Sequence, residues 1–117
     1  MAAPAPPPKV VVYFATRLFV LDQRTRRTLA KVVPLLTGEF KLSIGGHSDD
    51  RGKDTFNDKL SRQRAEAVAS YFRRRGIPME RMRYRGYGSS QPADRQDTPQ
   101  AWQHNRRVEI SIEKVNP

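Results

Sequence analysis

His47, Ser48 and Asp49 are consecutive and carry the side-chain types of a hydrolytic triad. Neighbours along an extended chain point to opposite faces, so these three cannot form a triad's hydrogen-bond chain among themselves. The only other histidine, His104, is remote in sequence. A metal centre is disfavoured as well, because no close-spaced pair of ligands accompanies the two histidines and the aspartates. Gly45-Gly46 lacks the following Gly-Lys-Ser/Thr of a phosphate-binding loop. The chemistry that survives is recognition of opposite charges, and it rests on Asp49 and Arg64.

Arg64 lies within the apolar stripe of a predicted helix. At about 100° per residue, Leu60, Ala67, Val68, Tyr71 and Phe72 share one face, and Arg64 points within about 40° of Leu60. Arg62, Glu66, Arg73 and Arg74 fall on the other side. An arginine stays charged, and burying it unpaired is costly, so Arg64 is expected to have an acidic partner. Two arrangements are open. Asp49 and Arg64 pair with each other and fix the loop, or they present opposite charges to a ligand with an ammonium and a carboxylate on one carbon. Arginine holds such a carboxylate bidentately. Asn57 reads equally well as a cap at the helix start and as a ligand-facing amide. Of Arg106 and Arg107, alternation turns one inward and one outward. Trp102 reads as a packing anchor for a long loop, and Tyr87 as support for core or turn.

The elements that must position these residues follow from periodicity. Val10 to Phe14 is a β-branched and aromatic run, read as a strand. Asp22 caps a helix carrying Leu29, Val32, Val33 and Leu36, which Pro34 kinks or ends early and Gly38 closes. Phe40, Leu42 and Ile44 alternate with Lys41 and Ser43 in a half-buried strand. Gly45-Gly46 is read as its end. Asp49 then falls just past a strand's carboxyl end, where sites in such sheets gather. The second helix starts between Asp54 and Ser61 and runs to Arg75, with Gly76 as its stop. A third strand covers Met82 to Tyr84, a short helix covers Pro99 to His104, and a last strand runs from Arg107 to Ile112. The predicted fold is α+β: a βαβα-β-(short α)-β two-layer sandwich with the helices on one face of a four-stranded mixed sheet.

The chain has 117 residues, enough for one modest core. It has no cysteine, which removes disulfides and thiolate metal sites. No apolar run reaches the roughly 20 residues that span a bilayer. Residues 1–9 are rich in proline and alanine and read as a linker or tail, with one domain over 10–117. The start lacks the pattern of a secretory signal. We therefore expect a longer parent protein whose anchor precedes Pro4. The net charge of +10 favours anionic partners: nucleic acid, a lipid surface or an acidic polymer such as a wall glycan. The arginines are dispersed over several clusters, as on an ordinary solvated basic surface.

Several motifs recur in order: Gly46-His47-Ser48-Asp49 with Gly52, then Asn57, Leu60-Ser61, Arg64-Ala65 and Val68. Gly76-Ile77, Gly86-Tyr87-Gly88, Pro92 and Asn105-Arg106-Arg107-Val108-Glu109-Ile110 follow. Together they resemble the OmpA-like C-terminal domain, a family that includes the peptidoglycan-associated lipoprotein and MotB. The likeness spans roughly Val10 to Ile112. It implies non-covalent, non-enzymatic binding of peptidoglycan in the periplasm, at the outer membrane or wall, with no cofactor, metal or nucleic acid. Asp49 and Arg64 match the positions that hold meso-diaminopimelate of the stem peptide in the family. Asn57, Arg107, His47, Ser48 and Leu60 match positions lining the same pocket. The other expected partner is the membrane anchor or barrel of the parent protein. Two departures stand out. Ser48 replaces the usual threonine, and the usual Phe-Asp of the first strand here reads Phe14-Ala15-Thr16-Arg17. The departures at Ala15 and Arg17 keep open a second reading, a redeployed fold acting as a protein-interaction module. The net charge keeps open a third, a nucleic-acid-binding domain, although no strand carries an aromatic pair placed for base stacking.

Overall fold

A computed structural model describes residues 9–114. The proline-rich stretch read as a linker therefore lies outside the described residues, except Lys9, which opens the first strand. The elements are β1 (Lys9–Tyr13), α1 (Gln23–Val32), β2 (Phe40–Gly46), α2 (Asp54–Arg74), β3 (Met82–Gly86), α3 (Pro99–Asn105) and β4 (Arg107–Lys114). The sheet order is β1-β4-β2-β3. β4 is antiparallel to both β1 and β2, and β2 is parallel to β3. The α+β class and the mixed four-stranded sheet agree with the sequence reading.

Alternation sorts the two faces of the sheet. Phe40, Leu42 and Ile44 of β2 and Val108, Ile110 and Ile112 of β4 are buried with Val12 of β1. Lys41 and Ser43 face solvent. Leu29 and Val32 of α1 and Val68 and Phe72 of α2 join the same core. Burying one such side chain fully is worth about 1.5–3 kcal/mol. The buried stripe of α2 differs from the wheel in one place. Ala67 is half-buried, and Ala65 and Ala69 are buried instead.

The ends of α1 follow local chemistry. The Asp22 carboxylate accepts from the Thr25 amide at 2.8 Å, satisfying one of the helix's orphan donors. Pro34 ends the α-helix at Val32 and leaves a single 3-10 turn over Val33–Leu35, as its missing N–H and fixed ring require.

The glycine pair Gly45-Gly46 does not end β2, contrary to its sequence reading. Gly45 pairs with Arg85 and Glu109, and Gly46 with Gly86 and Val108. These positions are glycine for another reason. A Cβ on Gly46 would overlap the Ser61 carbonyl of α2, and one on Gly86 would meet the Arg62 backbone. Bare backbone lets the first half of α2 lie directly on the ends of β2 and β3. The Ser61 hydroxyl fastens the contact: its oxygen accepts from the Gly88 amide at 2.8 Å and donates to the Asp58 carbonyl at 2.8 Å. β3 accordingly continues to Gly86, two residues beyond its predicted end.

Asn57 is not the cap of α2. The helix begins at Asp54 with Lys53 in the cap position, so Asn57 sits within the first turns. Among the described residues no helix is long and apolar enough to cross a membrane.

Candidate functional site: a cationic pocket at the start of the second helix

A cavity of about 220 Å³ opens where three segments meet. The β1–α1 loop contributes Thr16 and Arg17. The β2–α2 loop contributes Ser48, Asp49, Arg51 and Gly52. Phe56, Asn57, Leu60 and Arg64 of α2 complete the lining. Five of the seven residues expected to meet the ligand thus come together, Ser48, Asp49, Asn57, Leu60 and Arg64, and Arg17 of the first-strand departure joins them.

Arg64 forms the floor and is fully buried. The acidic partner expected for it is not what the structure provides. Its Nε donates to the Leu18 carbonyl at 2.8 Å, its Nη1 to the His47 carbonyl at 2.9 Å and its Nη2 to the Ala15 carbonyl at 3.1 Å. Its guanidinium carbon lies 5.4 Å from the Phe14 ring centroid. Three oriented carbonyl dipoles stand in for a carboxylate, and two of the five N–H groups remain. Burial, with the Arg106 charge second, pulls its pKa down to about 10 against the pull of Asp49, so it is a cation at neutral pH.

Asp49 is paired with Arg51 rather than with Arg64. Its Oδ1 accepts from the Arg51 amide at 3.0 Å and from the Arg51 Nε at 3.2 Å. Its Oδ2 accepts from the Arg51 Nη2 at 2.9 Å and lies 3.6 Å from the Arg106 Nη1. Burial alone would raise the carboxyl's pKa. The Arg51 hydrogen bonds, side chain and then backbone, and the charges of Arg51 and Arg106 outweigh it, so the group sits below its ordinary value. Arg51 stacks over Trp102 at 4.1 Å and reaches the Thr16 hydroxyl at 3.4 Å. Trp102 in turn donates to the Asp97 carboxylate at 3.2 Å, tying α3 to the long loop.

The remaining polar groups divide between pocket and frame. The Ser48 hydroxyl is buried with no partner among the described residues, and the Ser48 amide is anchored on the Gly88 carbonyl at 2.9 Å. Asn57 donates its amide to the Arg51 carbonyl at 3.2 Å, holding the loop against α2. His47 contributes its carbonyl to Arg64, but its ring stacks on Tyr87 with centroids 5.3 Å apart and does not line the cavity. Burial, with the Arg107 charge second, lowers its pKa to about 4, so the ring is neutral at pH 7. Arg107 is also outside the lining. It donates to Glu109 at 2.7 Å and to the Gln91 carbonyl at 2.9 Å. Its neighbour Arg106 is the arginine that approaches Asp49, while donating to the Phe14 carbonyl at 2.9 Å.

Arg51 and Phe56 line the cavity without having been singled out, whereas Gly52 stood in the loop motif and Thr16 in the first-strand departure. Arg51 lies in a loop, which carries no periodicity, and so gave no signal. Phe56, an exposed aromatic one residue before Asn57, was the one readable clue.

Residues 13–106 match the model of the OmpA family. The chain belongs to the OmpA family. It is 38% identical over 103 residues to the outer-membrane lipoprotein YfiB of Pseudomonas aeruginosa, covering 86% of this chain and 61% of that protein. It is 31% identical over 99 residues to the peptidoglycan-associated lipoprotein of Brucella melitensis, covering 83% of this chain and 59% of that protein. The chain therefore spans about three-fifths of the length of these relatives. The crystal structure of the peptidoglycan-associated lipoprotein from Burkholderia pseudomallei superimposes with a TM-score of 0.84 at 24% identity, covering 88% of this chain and 89% of that one. In this OmpA-family fold the pocket lies at the carboxyl end of β2, under the first turns of α2.

Proposed function

We propose that this domain binds peptidoglycan non-covalently through the diaminopimelate of the stem peptide, and so holds an envelope protein to the wall from the periplasmic side. Membership of the OmpA family and the likeness to peptidoglycan-associated lipoproteins support the wall as partner. The observation that carries the finer reading is the buried Arg64 guanidinium. It has no carboxylate partner among the described residues, and it forms the floor of a cavity that also holds Asp49.

In this reading the two remaining N–H groups of Arg64 receive the side-chain carboxylate of diaminopimelate, and Asp49 accepts its ammonium. The ammonium competes with Arg51 for Asp49. The Arg51 side chain is 40% exposed, so it can swing away while its backbone amide stays on Oδ1. Ser48 offers its unpartnered hydroxyl, and Leu60 and Phe56 give the aliphatic chain an apolar wall. Recognition is complete with no bond made or broken. The neutral His47 ring, stacked away from the cavity, serves to shape the loop.

The test is calorimetric titration with a stem tripeptide ending in meso-diaminopimelate and with the same peptide ending in lysine. Lysine lacks the carboxylate assigned to Arg64. Binding of the first peptide alone is the expected result. Equal binding of both removes Arg64 from recognition. If neither binds, the fold serves as a protein-interaction module, a reading that the occupation of Asp49 by Arg51 would then favour.

A further inference from the structure

We propose that Arg17 is a second anion contact of this pocket. It makes the site selective for stem peptides carrying a free carboxylate on the residue before diaminopimelate, the α-carboxylate of γ-linked D-glutamate. This rests on the peptidoglycan reading above.

Residues 15–18 form a turn closed by the Leu18 amide on the Ala15 carbonyl at 3.1 Å. Arg17 is its third residue and has a φ of 61°, the one non-glycine among the described residues with positive φ. That position of a turn favours glycine or asparagine, so an arginine there needs support from its surroundings. The support is visible. Arg64 grips the carbonyls at both ends of the turn, Ala15 and Leu18, from below. Arg51 holds the Thr16 hydroxyl from the side. The turn is thus fixed by two arginines of the pocket itself, and it places the Arg17 guanidinium at the mouth, 6.0 Å from the Phe56 ring centroid.

The charge balance gives that guanidinium a task. Both oxygens of Asp49 already face Arg51, with Arg106 at 3.6 Å. Arg64 and Arg17 have no carboxylate partner among the described residues. A ligand with one ammonium and one carboxylate matches Asp49 and Arg64 and leaves Arg17 uncompensated. A second carboxylate restores balance: the tripeptide offers the terminal one of diaminopimelate and the one on γ-linked glutamate, and only the glutamate one is removed by amidation. Arg64 is fully buried and Arg17 is exposed, so the pocket has a deep cationic end and a shallow one. A peptide whose diaminopimelate reaches the floor leaves its preceding residue at the rim, beside Arg17.

The test compares two tripeptides by calorimetry, L-Ala-γ-D-Glu-diaminopimelate and its counterpart with D-isoglutamine, against the wild type, Arg17→Asn and Arg17→Lys. Asparagine tolerates positive φ and keeps the turn, and lysine keeps the charge. Amidation is expected to weaken wild-type binding about threefold to fivefold at low salt, the scale of an exposed ion pair. It should cost Arg17→Asn nothing and Arg17→Lys nearly as much as the wild type. The wild-type penalty should shrink on the order of 0.5 M salt, where exposed charges are screened. An equal amidation penalty in wild type and Arg17→Asn overturns the assignment and leaves diaminopimelate recognition standing, as does no penalty in a wild type that binds the acid form. Failure of both peptides to bind the wild type overturns the wall-binding reading and this one with it.

Discussion

The two halves of α2 are both buried, and they are buried by different physics. Its second half presents Val68, Ala69, Tyr71 and Phe72 to Leu29, Ile44 and their neighbours. That contact is non-directional and scales with the area removed from water. The first half presents Asn57, Ser61 and Arg64, and each side chain ends on a named backbone group. Here position is set by hydrogen-bond geometry, which tolerates little displacement. One helix therefore carries both the scaffold and the site. The apolar half can be repacked at modest cost, whereas the polar half fixes two loops whose atoms line the pocket.

The sharpest way to break this contrast is to truncate each half once. Arg64→Ala removes three charge-assisted hydrogen bonds, each worth about 1.5–3 kcal/mol. With water recovering part of that, urea unfolding is expected to show a loss of roughly 4 kcal/mol, and wall-peptide binding should vanish. Phe72→Ala is expected to cost about 3–5 kcal/mol through cavity formation, yet the molecules that remain folded should bind with unchanged affinity. If Phe72→Ala alters affinity as much as Arg64→Ala, the two halves are not separable.

The next effect is a pH dependence seated in the frame. His47 is neutral in the fold with a pKa near 4, against an ordinary 6.5. Between those values the unfolded chain holds a proton that the folded one lacks, so stability rises with pH. Its contribution is complete above pH 6.5 and is lost as pH falls towards 4. Urea unfolding is expected to show about 2–3 kcal/mol less stability at pH 4.5 than at pH 7, and His47→Gln should flatten that slope. A wild-type curve already flat across this window rules out the buried neutral ring as its source.

The smallest effect on stability should come with a selective loss of binding. Asp49→Asn keeps an oxygen for the Arg51 amide and removes the charge. Its unfolding midpoint should move little, by about 1 kcal/mol or less. Its affinity for the diaminopimelate peptide should fall about tenfold to a hundredfold, the value of one charge-assisted contact. That affinity should be flat at neutral pH, because the Arg51 hydrogen bonds and the Arg51 and Arg106 charges hold the Asp49 carboxyl below its ordinary value.

The periodic parts of this contrast were readable from the residues. A guanidinium inside an apolar stripe marked Arg64, and strand alternation marked the buried faces of β2 and β4. What was hidden lay in contacts between distant segments. Gly45-Gly46 reads as a break because glycine is locally permissive, yet the pair stays in the sheet to admit α2. Arg64 was expected to meet an acid because sequence counts charged side chains, whereas the structure supplies carbonyls, which every residue has. Arg51 displaced Arg64 as the partner of Asp49 through a two-residue loop contact that no periodicity announces. Arg106 and Arg107 read as one inward and one outward, yet both side chains are largely buried, and it is Arg106, just before β4, that approaches Asp49.

Arg64 joins segments 17, 46 and 49 residues away from it in the chain. The bond to His47 needs only β2 and α2 together, but those to Ala15 and Leu18 need the β1–α1 loop as well, and closing such long loops is entropically slow. The complete set of bonds is therefore expected to form late in folding. Interactions absent from the folding transition state act on the unfolding rate. The lifetime of the assembled pocket, more than the speed at which it forms, is what this single side chain is expected to control.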